Sequence, residues 1–402
     1  MLKGNRGEWA EVYVLLKLLA DGRLTSAEDE SAYIEVLAVL RKELEEIVRY
    51  NRDGNQITLI VENEFKKTIP VQVVSVNAKK LLEAINNLSS KKNTIPELNS
   101  FLNEMMVNSL SAGGIKDKKY PQFNGKNDIV LETKDSAGII ETQGFSIKSK
   151  FKSAATLFNF SSGTRLVYHL PNCTEEQANI INSIITDKGT GGNVKGRMKY
   201  IAENLALEFV GSKMIKGERT FQESLQNSGA DTINVLNHML LCRYGYYSCD
   251  SDRLSELTKK LAEINPMNVR HPDDYYANRM KSFAYDAFCG LTGSIYWNGD
   301  CHVNGGYIQV DDDGNLKYYP AKSDKVFMNF LFNNLKCEEP DKGYKMLEHI
   351  KAAQLALNGQ VSAGIEERLK TKNPNQNKAD FGYVYQEDGQ YFIDLNFSLR
   401  FC

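Results

Sequence analysis

The stretch Asp128–Lys150 constrains this chain more than any other. It reads as a β-hairpin: an alternating run Asp128–Thr133, a turn over Asp135-Ser136-Ala137-Gly138, and a second run Ile139–Lys148. Asp, Ser and Gly at the turn, with β-branched residues on either side, support that reading. A carboxylate opens the first strand and a lysine closes the second, so folding brings Asp128 and Lys148 to the same end. An acid beside a lysine on adjacent strands is the minimal kit for metal-assisted phosphodiester hydrolysis.

Side chains alternate across a strand, so Thr142, Gly144, Ser146 and Lys148 share one face, and Glu141, Gln143, Phe145 and Ile147 the other. In nuclease centres of the Asp…(Asp/Glu)-x-Lys kind, a second acid sits two residues before the lysine. Here that position is Ser146, a neutral hydroxyl where a hard cation favours an anionic oxygen. The second donor must come from elsewhere, or the site is degenerate. Glu11, one turn into an N-terminal helix, is the favoured replacement. A bulge at Gly144 that turns Gln143 or Glu141 onto the metal face is the other, because glycine inside a strand often marks a bulge. On this reading Asp128 anchors a metal ion, the Ile147 carbonyl completes its shell, and Lys148 orients the attacking water and offsets charge on the phosphate. The plainer reading is a hairpin with Asp128 and Lys148 in solvent.

Taken in order, residues 7–20 spell an amphipathic helix with Trp9, Val12, Leu16 and Leu19 at helical spacing and Gly22 as its stop. A second helix is expected over Glu28–Tyr50, strands over Ile57–Glu62 and Ile69–Val76, and helices over Ala78–Leu88 and Pro96–Leu110. The loop Gly113–Lys126 carries four lysines and leads straight into Asp128. Past the hairpin come a strand at Arg165–Leu170, a helix at Glu175–Thr186, and a glycine-rich run with Lys188, Lys195 and Arg197. That run lacks the Lys-Ser/Thr of a phosphate-binding P-loop, so it reads as a linker or as a cradle for a DNA backbone. Met198–Gly290 reads as mostly helical. Strands Gly306–Val310 and Leu316–Tyr319, helices Asp324–Leu335 and Tyr344–Leu357, and a last hairpin from Gly382 to Phe401 complete the chain. The expected fold is α/β (α+β), a mixed central sheet flanked by helices, with residues 1–187 as core and 188–402 as a second region for recognition or dimerisation.

Composition narrows the function classes. With 49 basic and 51 acidic residues the net charge is −2, so any nucleic-acid contact must come from locally clustered charge. Seven cysteines without a CxxC pair suit scattered thiols in a reducing cytoplasm better than a disulfide framework or a zinc site. No apolar run approaches the ~18 residues a membrane span needs.

Three stretches resemble the HpaII-type restriction endonucleases. They are Gly7-Glu8-Trp9-Ala10-Glu11-Val12-Tyr13 with Lys17–Gly22, Gly144-Phe145-Ser146-Ile147-Lys148-Ser149 with Thr156–Asn159, and Gly305-Gly306-Tyr307-Ile308 with the ending Asp394–Phe401. The resemblance implies a Mg²⁺-dependent type II endonuclease of the PD-(D/E)xK nuclease type. It also implies cleavage of both strands of double-stranded DNA at a short palindrome such as CCGG, to a 5′-phosphate and a 3′-hydroxyl, and a cognate cytosine methyltransferase. A palindromic target favours a homodimer. Asp128, Lys148 and Glu11 fall on the catalytic positions; Asp128, Glu11, Gln143 and Ile147 are the metal-binding candidates. Lys150, Arg165, Lys188, Lys195, Arg197 and Arg243 are candidates for DNA contact, mainly to phosphate. The alternative is an inactive DNA-binding protein of the same fold, suggested by Ser146.

Overall fold

A computed structural model of the chain describes residues 1–402 apart from 28, 44–45, 89–91, 111–126, 152–154, 185–188, 250, 294, 322–324 and 340–380. The elements of the first part are α1 (Arg6–Asp21), β1 (Arg23–Ser26), β2 (Tyr33–Glu43), β3 (Glu46–Asp53), β4 (Gln56–Val61), β5 (Glu64–Pro70), α2 (Val71–Asn87), α3 (Asn99–Glu104), β6 (Ile129–Lys134) and β7 (Ile140–Ser149). Then follow β8 (Thr156–Phe158), β9 (Leu166–His169), α4 (Glu175–Ser183), α5 (Gly189–Asn204), β10 (Glu208–Ser212), α6 (Thr220–Ser228), α7 (Thr232–Arg243), α8 (Leu254–Ile264) and α9 (Pro272–Cys289). The last are β11 (Gly306–Val310), β12 (Leu316–Tyr319), α10 (Lys325–Asn334), β13 (Leu335–Glu338), β14 (Val384–Glu387), β15 (Gln390–Leu395) and β16 (Ser398–Phe401). The chain divides into one unit of Met1–Ala155 with Asp300–Phe327, and another of Thr156–Gly299 with Met328–Cys402. The division is discontinuous, whereas the sequence suggests a single cut after residue 187.

In the first unit, nine strands form one mixed sheet in the order β1-β12-β11-β7-β6-β2-β3-β4-β5. β1 also pairs with the start of β2, Arg23 opposite Glu35, so six of the strands close into a barrel-like ring and β3–β5 run on from it. β7 lies between β6, antiparallel, and β11, parallel. The expected hairpin is therefore present and central.

Helix α1 is fixed at both ends by its sequence. The Asn5 side chain accepts from Glu8 N at 3.0 Å and Asn5 N donates to the Glu8 carboxylate at 2.7 Å, a capping box. Gly22 stops the helix at φ +65°, a left-handed conformation that suits glycine. Capping contributes on the order of 1 kcal/mol. Burial dominates: Trp9, Val12, Leu15, Leu16, Leu18 and Leu19 are wholly buried, each worth about 1.5–3 kcal/mol. Glu11 lies in the middle of this apolar helix.

Two expectations fail here for identifiable reasons. Glu28–Tyr50 is not a helix but β2 and β3, joined by a six-residue register from Ala38↔Asn51 to Glu43↔Glu46. Its Leu, Glu and Arg residues favour helix locally, and pairing on both edges of β2 overrides that preference. Ile69–Val76 is not a strand: after Pro70 the chain turns into α2, whose buried stripe Val74, Ala78, Leu81, Ile85 has helical spacing. The Pro96–Leu110 helix is short, a single 3₁₀ turn at Pro96–Leu98 followed by α3.

The second unit holds a four-stranded sheet, β10-β9-β15-β14, and a three-stranded one, β13-β16-β8, with helices α6–α9. Phe158 is its aromatic centre, with Phe221, Phe283 and Phe397 ring centroids at 5.7, 5.6 and 5.3 Å. The glycine-rich run from Gly189 is part of helix α5 rather than a loop. The final hairpin splits, with β14 and β15 in one sheet and β16 in the other. The expected helix Tyr344–Leu357 and the lysine-rich loop Gly113–Lys126 lie outside the described residues. Among the described residues no helix is long and apolar enough to cross a membrane, and none of the seven cysteines is in a disulfide.

Candidate active site

The β6–β7 hairpin sets the site through its register. Pairing runs unbroken from Ile129↔Phe145 to Lys134↔Ile140, and Asp128 N carries it one step further by donating to Phe145 O at 2.8 Å. Beyond that point Asp128 replaces backbone with side chain. Its Oδ2 accepts from Ile147 N at 2.6 Å and from the Ser146 hydroxyl at 3.0 Å. Both donors lie on β7, so the carboxylate is held against the strand that carries Lys148.

Backbone direction alternates along β7. Gly144 O accepts from Gly305 N at 2.9 Å and Lys150 N donates to Val310 O at 2.9 Å, so even-numbered residues bond toward β11. Odd-numbered residues face the β6 edge, as Phe145 O and Ile147 N both do. The Ile147 carbonyl therefore lies on the edge that Asp128 occupies.

Glu11 reaches the same place from α1, which packs on β7. Burial pushes its carboxyl up to about 8, the negative charge of Asp128 adds to the rise, and Arg41 and Lys148 oppose it. Its Oε2 is buried and has no hydrogen-bond partner among the described residues. A buried carboxyl whose proton affinity is raised by burial and by a neighbouring acid, with a buried oxygen left without a partner, is a place that favours a cation. The donors are ones a hard divalent ion prefers: Asp128 Oδ1, the Glu11 carboxylate and the Ile147 carbonyl. The residues fit such an ion.

Arg41 is the participant that the sequence did not reveal. Its side chain is 2% exposed and sits 3.2 Å from Glu43, while donating to Ser109 O at 2.7 Å and Leu110 O at 2.8 Å. Glu43 in turn accepts from Asn108 N and Ser109 N at 2.7 and 2.9 Å. Arg41 and Glu43 sit two apart on one strand, a spacing that has meaning only once β2 is known to be a strand.

The remaining candidates fall elsewhere. There is no bulge at Gly144. Glycine is required there because a Cβ would stand 2.7 Å from His302 O, so the signal was close backbone approach. Gln143 accordingly stays off the site and donates to Glu141 at 2.8 Å in an exposed pair. Arg165, Arg197 and Arg243 are buried within the second unit. Arg165 lies 3.5 Å from buried Asp394. Arg197 donates to Gly382 O at 2.7 Å and stacks 3.8 Å over the Tyr383 ring. Arg243 donates to Cys337 O at 2.7 Å and pairs with Glu339. Guanidinium groups committed to interior acceptors are not offered to a phosphate on the surface. Lys150 is exposed just after β7, Lys195 is half-buried on α5, and Lys188 lies outside the described residues.

Both parts of the third resembling stretch have structural explanations. Gly305 has no room for a Cβ beside the Phe145 ring, 2.5 Å away, and Gly306 takes φ +109° against Tyr319 O. Near the end of the chain, Asn396 accepts from the Thr164 hydroxyl at 2.8 Å and donates to Ser161 O at 2.9 Å.

Comparison with known proteins supplies the family. The family model described as HpaII restriction endonuclease matches residues 5–349, a span that contains Glu11, Asp128 and Lys148. The curated type II restriction enzyme HpaII of Haemophilus parainfluenzae is 29% identical over 408 residues, 99% of this chain and 98% of that protein. No solved structure matches the chain. The match from the cap of α1 to well beyond the site leaves one assignment: this chain belongs to the HpaII restriction endonuclease family, and is a type II site-specific nuclease.

Proposed function

We propose that this nuclease uses Mg²⁺ to cut both strands of DNA at a short palindrome of the CCGG kind, leaving a 5′-phosphate and a 3′-hydroxyl. The observation that carries the reading is the convergence of Glu11 on Asp128 and Lys148, from an element more than a hundred residues away in the chain. It supplies the acid that Ser146 lacks in a PD-(D/E)xK-type centre.

Asp128 Oδ1, Glu11 and the Ile147 carbonyl would hold the ion. When bound, Mg²⁺ supplies positive charge to the phosphate oxygens and makes a water more acidic. Lys148 is half-exposed at the end of β7, placed to orient that water in line with the phosphorus and to offset charge on the pentacovalent phosphate. Asp128 and Glu11 must be ionised to act, so activity falls in acid. Exposed Lys150 is the candidate phosphate contact nearest the site in sequence. A palindrome has two-fold symmetry, which favours a homodimer with one centre per strand. A cognate cytosine methyltransferase would protect host DNA.

Digestion of unmethylated and CCGG-methylated plasmid, with Mg²⁺ or with EDTA, tests the whole reading. Discrete fragments with sequenced ends at CCGG are expected only from unmethylated DNA with Mg²⁺. Cleavage in EDTA, or fragments ending at a different sequence, would overturn the metal or the target assignment respectively.

A further inference from the structure

We propose that Ser146 is a positioning residue that leaves Asp128 one free oxygen, and that the centre in consequence takes a single divalent cation. This rests on the metal-dependent reading above and goes beyond it, since that reading is silent on the number of ions.

A carboxylate oxygen has two in-plane lone pairs. On Asp128 Oδ2 both are taken, one by Ile147 N at 2.6 Å and one by the Ser146 hydroxyl at 3.0 Å. Two metal ions about 3.5–4 Å apart share ligands, and a carboxylate does so most readily with one oxygen to each ion. Asp128 has no second oxygen to offer in that way while β7 holds Oδ2. An acid in place of Ser146 would bring two more hard oxygens and a third negative charge; serine brings a donor and no charge.

Charge points the same way. Asp128 and Glu11 together carry −2 when ionised, which balances one divalent cation. A second would face Lys148 and Arg41, the cations that already act on Glu11, and the one other carboxylate among the described residues that acts on Glu11, Glu8, is committed to capping α1 at Asn5 N. Among the described residues no group of three or more His, Cys, Asp or Glu side chains is placed to hold a metal. Asp128 Oδ1, Glu11 and the Ile147 carbonyl, with waters, are the number of oxygens Mg²⁺ accepts from protein; they are too few for two ions.

The hydroxyl also has a positive role. It holds Oδ2 against β7, which leaves Oδ1 as the Asp128 oxygen open to an ion. Outer-shell partners of this kind typically affect metal affinity about 10–100-fold.

The test is Mn²⁺ binding to the full-length protein without DNA, followed by calorimetry and electron paramagnetic resonance. One Mn²⁺ per chain with an uncoupled six-line spectrum is expected. Ser146→Ala should weaken binding by about tenfold or more, Ser146→Thr should retain it, and Ser146→Cys, near in size but a poor donor, should fall with Ala. The Cys variant keeps the comparison available should Ser146→Ala not fold. Two Mn²⁺ per chain, or an exchange-coupled pair, lost together in Asp128→Ala would overturn the single-ion inference alone. Mn²⁺ binding unchanged in both Asp128→Ala and Glu11→Gln would overturn the metal reading beneath it. Affinity equal in wild type, Ser146→Ala and Ser146→Cys would remove the role of the hydroxyl.

Discussion

Glu11 in the first unit and Asp394 in the second are both buried acids, and the protein treats them in opposite ways. Asp394, 1% exposed, is met by Lys213 at 3.1 Å, Arg165 at 3.5 Å and the Tyr385 hydroxyl at 2.7 Å. Every charge there has an answer within the fold. Glu11 instead faces a second acid, keeps a buried oxygen without a partner among the described residues, and holds its proton up to about 8. Burying a carboxyl oxygen without a hydrogen-bond partner is costly, and the proposed metal ion would relieve that cost. Asp394 serves the fold. On the proposed function, Glu11 serves a metal ion at the expense of the fold.

Removing the acid on each side should separate those roles, and gives the largest effects. Asp128→Ala should lower cleavage by about 10³-fold or more, the upper range for losing a group that stabilises transition-state charge, with a small change in melting temperature. Asp394→Ala should cost about 3–5 kcal/mol of stability, because it strands the buried Arg165 guanidinium. Cleavage assays paired with denaturant unfolding check both. An Asp128→Ala enzyme that still cuts normally, or an Asp394→Ala protein as stable as wild type, would erase the contrast.

The same two regions show what the sequence disclosed and what it concealed. The hairpin was legible because its information is local: alternation, a turn signal, and an acid and a lysine at fixed offsets. Glu11 could be nominated only by elimination and by the family resemblance, because bringing it to Asp128 depends on α1 packing against β7, a non-local fact. Arg41 was hidden by the helical reading of Glu28–Tyr50, where edge-to-edge pairing outweighed local propensity. Arg165, Arg197 and Arg243 looked like surface cations because composition carries no burial. Gly144 was noticed for the wrong reason, since a tight approach by His302 O and a bulge leave the same glycine in the sequence.

The second contrast is in pH. For Glu11 the folded value is about 8 against an ordinary 4.5, so the folded chain binds this proton more tightly than the unfolded chain. Its contribution to stability is then largest in acid and is lost as pH rises through that window, levelling off above about 8. Each tenfold difference in proton affinity is worth roughly 1.4 kcal/mol, which puts the whole effect at a few kcal/mol. Without metal, wild-type stability relative to Glu11→Gln should decline from pH 5 to pH 8. Adding Mg²⁺ should restore it, more strongly at the higher pH, because the ion displaces the proton. Parallel curves for the two proteins would mean that Glu11 is not held as described.

The smallest effect distinguishes an exposed cation from a buried one. Lys150 projects from the end of β7 and is exposed, whereas Arg197 is 1% exposed and bound to Gly382 O and the Tyr383 ring. If Lys150 meets a phosphate, Lys150→Ala should weaken DNA binding evenly across sequences and reduce the salt-dependence slope by about 1, with stability within about 0.5 kcal/mol of wild type. Arg197→Ala should do the reverse, lowering stability and leaving the slope alone, because no counterion is displaced by a charge that never reaches the surface. Filter-binding isotherms across a salt series in Ca²⁺, alongside thermal melts, read both quantities on the same preparations. A slope that changes in Arg197→Ala but not in Lys150→Ala would place the DNA on the second unit and away from the end of β7.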